Sequence, residues 1–166
     1  MSLTLEQFAA ECHRVLAANP GPQGRKQVCA LVEEACKDKE FVARNFGDGV
    51  GQRDILYEDP ELGFCVCAHV YSDARQSQPH DHGPSWAIYG QVDGETIMSD
   101  FALVEPAGEG KMGKVRFVRD YALKPGMAHL YNEGDLHSPR RDGPTKLLRI
   151  EGKNLDKVRR FGYRAI

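Results

Sequence analysis

Apolar positions divide the chain into a helical part and a strand-rich part. Leu5, Phe8, Ala9, Cys12, Val15 and Leu16 recur at helical spacing. Val28, Leu31, Val32, Ala35 and Cys36 repeat the pattern. Thr4-Leu5-Glu6-Gln7 is a capping box that opens the first run. Asn19-Pro20-Gly21-Pro22 separates it from the second, which is expected to fade near residues 41–46. After a glycine-rich joint at residues 47–51 the period changes from helical to alternating. Segments 55–57, 63–71, 86–92, 95–104, 114–123, 129–132, 136–139 and 145–151 read as strands. Asp93-Gly94 is a hairpin signal, and Lys124-Pro125-Gly126 marks another turn. Many short strands separated by turns imply a mainly β sandwich or closed barrel. The pattern predicts one domain over residues 1–166. Two helices in residues 1–46 would pack on the outside of a β-barrel formed by residues 52–166.

Composition narrows the class. A chain of 166 residues suits a single core. Hydrophobic residues at 41% and charged residues at 28% are an ordinary globular balance. A net charge of -2 argues against a nucleic-acid-binding face. Arg140-Arg141 and Arg159-Arg160 are short runs, read as solvated or ion-paired surface. No apolar stretch approaches the roughly 20 residues of a membrane helix. No basic region followed by an apolar run opens the chain, so a cytoplasmic location is expected. The five cysteines are an odd set and read as reduced thiols. Cys65 and Cys67 share one strand face as small core residues.

The chemistry concentrates at Pro79-His80-Asp81-His82-Gly83. Two histidines one residue apart on a strand point to the same side. Neutral imidazoles so placed can share a metal ion. Downstream come Gly90, Pro125-Gly126, Gly134 and His137. This ordered set resembles the cupin superfamily, whose two motifs carry an HxH pair with a following glycine and a PG turn with a later ligand histidine. The resemblance spans roughly residues 53–151. It implies a jelly-roll (double-stranded β-helix) barrel and a metal on His80, His82 and His137. His129, just after the PG turn, competes with His137 for the third place. The family's usual carboxylate is missing, and Trp86 stands near its position. Three neutral ligands would leave the ion its full positive charge, favouring an anionic substrate.

Within cupins, the chain is similar to the three-histidine thiol dioxygenases, cysteine dioxygenase and its relatives. They too begin with helices and lack the carboxylate. That resemblance implies Fe(II), a small anionic thiol-carboxylate substrate, O₂, and a substrate-clamping arginine at Arg53. The family's Ser-His-Tyr relay is absent, since the late strand reads Leu147-Leu148-Arg149-Ile150-Glu151. Tyr89, Tyr131 and Tyr121 are candidate proton donors. Arg149 and Glu151 share a strand face, as a supporting ion pair or as part of the rim. His69 alternates with Cys65 and Cys67 and is expected to face inward in a structural role. Zn, Mn or Ni would also suit the ligands. A metal-dependent isomerase or lyase, or a small-molecule-binding cupin without activity, remain alternatives. Barrel edges that pair would give a homodimer.

Overall fold

The computed structural model describes residues 2–166. Helix α1 (Leu5–Ala18) begins where the capping box places it. Thr4 Oγ accepts from the Gln7 N–H at 3.1 Å, and Gln7 Oε1 accepts from the Thr4 N–H at 2.9 Å. Helix α2 (Pro22–Lys37) starts on a proline, whose missing N–H costs nothing there. The second helical run does not fade. Asp38 closes α2, and its carboxylate accepts the N–H groups of Glu40 and Phe41 at 3.0 and 3.1 Å. That cap starts a third helix, α3 (Lys39–Asn45), so the expected pair of helices is corrected to three.

Ten strands follow. They are β1 (Asp54–Glu58), β2 (Cys65–Tyr71), β3 (Arg75–Gln76), β4 (Ala87–Asp93) and β5 (Thr96–Glu105), then β6 (Gly113–Leu123), β7 (Ala128–Tyr131), β8 (Leu136–Arg141), β9 (Thr145–Glu151) and β10 (Tyr163–Ala165). They form two five-stranded sheets, ordered β1-β2-β9-β4-β7 and β10-β6-β5-β8-β3. All neighbours are antiparallel except the short parallel pair β10–β6. The architecture is mainly β, as expected of a jelly-roll barrel. No helix among the described residues is long and apolar enough to cross a membrane.

Strand alternation gives the first sheet two different faces. Val66, Ala68, Trp86, Ile88, Leu148 and Ile150 join Phe8, Val28, Val32 and Phe41 of the helices in the large apolar core. That core therefore lies between the helices and the outer face of the sheet. The opposite face carries Cys67, His69, Tyr89, Arg149 and Glu151 into the barrel. There the apolar cluster is small: Ala87, Tyr89, Met98, Leu123 and Tyr131. With most of the apolar packing done outside, the interior can hold polar groups. All five cysteines are free thiols, four of them buried. Burial pushes the Cys12, Cys29, Cys36 and Cys67 thiols up to about 12, so they stay protonated and unreactive.

Candidate metal centre

His80, His82 and His137 converge inside the barrel, with one ligand atom from each within 4.8 Å of the others. The backbone brings them there. His137 lies on β8, and His80 bridges to it in isolation from any other strand pairing. Each donates its N–H to the other's carbonyl at 2.9 Å. The side chains are oriented by main-chain carbonyls. His80 Nδ1 donates to Gln78 O at 2.8 Å, and His137 Nδ1 donates to Asp135 O at 2.9 Å. A carbonyl can only accept, so in both rings the proton sits on Nδ1 and Nε2 keeps its lone pair. His82 is fully buried, and its Nδ1 has no hydrogen-bond partner.

Burial holds all three rings neutral. Desolvation is the main cause for each, with the Arg149 charge acting in the same direction. His80 is pushed down to about 4, and His82 and His137 lie well below the ordinary imidazole range. Converging ring nitrogens on neutral imidazoles fit a divalent ion. No carboxylate belongs to the set.

Tyr89, on β4, stands over this group. Its hydroxyl is 3.1 Å from His82 Nε2 and 3.4 Å from His137 Nε2. Tyr131 stacks on His137 with ring centroids 4.0 Å apart. Behind it, the Tyr121 hydroxyl lies 2.5 Å from that of Tyr131 and donates to Asp100 at 3.0 Å. Trp86 is elsewhere. It is three residues from Tyr89, so it faces the other side of the strand and packs in the helix-side core, with the Arg25 guanidinium 5.4 Å above its ring. His129 is also outside the group. It lies against Tyr121 and Tyr131 and lines a separate pocket of about 300 Å³ beside Asp100 and Arg119.

Beside the histidines opens a cleft of about 650 Å³. Its walls carry Arg53, Arg141, Arg149 and Arg160 against the carboxylates of Glu151 and Asp156. Arg53 was expected to clamp a substrate, but its fork is closed by the protein. Its two terminal nitrogens donate to Glu151 at 2.6 and 2.9 Å, and its Nε donates to Asp156 at 3.1 Å. Glu151 is wholly buried, so this pair fixes the wall. Arg149 is half-buried with its guanidinium 4.8 Å over the Tyr89 ring, and its Nε lies 3.2 Å from Glu151 without a well-aligned hydrogen bond. Cys67, His69 and Glu151 also cluster at ligand distance. Two guanidiniums already hold that carboxylate, so a cation is disfavoured there.

The expectation that both residues of the Arg140-Arg141 run are solvated or ion-paired surface is corrected for Arg141. Arg140 is exposed and pairs with Asp142, but Arg141 is only 4% exposed and faces the cleft. Strand β8 runs two residues past Pro139, so His137, Pro139 and Arg141 share the inner face. The same two-residue period that located His80 and His82 would have found it.

No protein-family model matches the chain, and no curated protein sequence matches it. Among solved structures, a cupin superfamily protein from Desulfitobacterium hafniense is 12% identical, with a TM-score of 0.44 over 61% of this chain and 76% of that one. KdgF from Halomonas sp. is 17% identical, with a TM-score of 0.45 over 64% and 82%. A cupin-2 domain protein from Shewanella frigidimarina is 10% identical, with a TM-score of 0.44 over 70% and 95%.

Proposed function

We propose that the chain is a metal-dependent enzyme of the cupin type, a non-haem Fe(II) dioxygenase acting on a small anionic substrate such as a thiol carboxylate. The observation that carries this reading is the convergence of three neutral imidazoles, with no carboxylate among them, beside a cleft richer in guanidinium than in carboxylate. Bound iron would supply the one-electron chemistry and O₂ activation that side chains lack.

The chain's own residues do the rest. His80, His82 and His137 would hold the ion without lowering its charge, which favours direct binding of an anion. The Tyr89 O–H, between two of the three rings, is placed to donate to a group bound there. Arg149 lies over the ring of that phenol and keeps positive charge near it. The arginine-lined wall draws the substrate in and orients it, removing part of the entropic barrier to reaction.

The test is metal analysis of protein purified without oxygen, followed by O₂ uptake across a panel of thiol carboxylates. One iron per chain is expected. His80→Ala, His82→Ala and His137→Ala should each lose most of it, while His129→Ala keeps it. A wild-type protein that retains no metal would sink the reading. Turnover of a substrate without O₂ uptake would instead assign Lewis-acid chemistry to the same ligands.

A further inference from the structure

The cleft contains a charge that the protein does not answer. Arg141 is 4% exposed and lines the same cleft as His80. Its Nε is buried without a hydrogen-bond partner. Among the described residues no carboxylate forms an ion pair with it. Burial first, then the Arg149 and Arg75 charges, work against its charge. Its guanidinium lies 5.0 Å over the Tyr71 ring, and Arg75, its partner across β3 and β8, sits over the same ring at 4.3 Å. An unpaired guanidinium out of water is costly, and a like charge beside it raises the cost. An oxyanion in the cleft would remove that cost through charge-assisted, two-pronged hydrogen bonds.

We infer that Arg141, helped by Arg149, is the seat for a substrate oxyanion distinct from the group that meets the metal. The substrate is then a dianion. One anionic donor goes to the three-histidine centre, and a carboxylate at the other end goes to Arg141. Arg53 takes no part, because Glu151 already fills its fork. The assignment of one end to the metal rests on the proposed function. Capture of the oxyanion by Arg141 does not.

Calorimetric titration with malonate and succinate tests this, on protein as purified and after chelation. Wild type should bind at least one of the two, in the chelated sample as well. Arg141→Gln should weaken binding by about 10- to 100-fold, and Arg140→Gln, one residue away on the outer face, should leave it unchanged. The dicarboxylate should raise the melting temperature of wild type but not of Arg141→Gln. Without ligand, Arg141→Gln should melt no lower than wild type, because it removes an unanswered charge. Arg141→Lys should bind between the two, since it keeps the charge but not the fork. No binding by wild type in either form, or equal binding by Arg141→Gln, would overturn the seat. Because the chelated sample is read separately, an absent metal and an absent oxyanion seat give different results.

Discussion

His69 sits neutral in a wall of arginines. It is 3% exposed, its Nδ1 lies 3.1 Å from the Tyr71 hydroxyl, and its Nε2 has no partner. Burial, then the Arg149 and Arg53 charges, push it down to about 2. The unfolded chain protonates this ring below about pH 6.5, and the folded chain does not. Its contribution to stability is therefore complete above that pH and is lost as pH falls toward the lowered value. The loss is about 1.4 kcal/mol for each pH unit in that window. Urea midpoints between pH 7 and 4 should fall more gently for His69→Gln than for wild type. Equal slopes would mean that His69 is solvated or already charged. At this scale, strand alternation was enough to turn His69 and Tyr89 inward, because a two-residue period survives any fold that keeps the strand. It could not show that the Arg53 fork is closed, since Glu151 lies 98 residues away along the chain. Only the β1–β2–β9 order brings the two together.

Helix α2 lies closely on β4 and β7, and Gly90 is the gap that admits it. A Cβ at Gly90 would meet Val32 Cγ1 at 2.4 Å, Cys36 Sγ at 2.8 Å and the Leu148 carbonyl oxygen at 3.0 Å. Gly90→Ala should therefore cost on the order of 1–3 kcal/mol by overpacking. A melting temperature unchanged in Gly90→Ala would show that the helix is free to shift. The motif resemblance pointed to Gly90, but its reason is visible only in the packing. The strong periodic elements were legible for the same reason that they are stable: each buries one continuous apolar face. Helix α3 was not, because seven residues give under two turns of pattern and its start depends on the Asp38 cap. Strand β3 has two residues, both exposed, and offers no pattern at all.

Taken whole, the molecule carries a net charge of -2 while its cleft carries four guanidinium groups against two carboxylates. The bulk of the surface repels the anion that the cleft attracts. Exposed charges are screened over about 10 Å at 0.1 M salt, and buried ones much less. The kcat/KM for an anionic substrate should fall several-fold as salt rises from about 10 to 300 mM, through slower capture. The methyl ester of the same substrate should react poorly and show little salt dependence. A flat salt profile for the acid would count against capture by the arginine wall. The net charge argued against a nucleic-acid-binding face, but it concealed this local reversal, because a sum over the chain carries no positions.

The carbonyls of Gln78 and Asp135 hold two of the three imidazoles in place. These acceptors belong to the main chain, so every codon at positions 78 and 135 still encodes them. Substitutions there can accumulate without turning a ring. A centre braced in this way persists while its flanking letters drift, and its trace in the sequence thins to three histidines and the turns that space them.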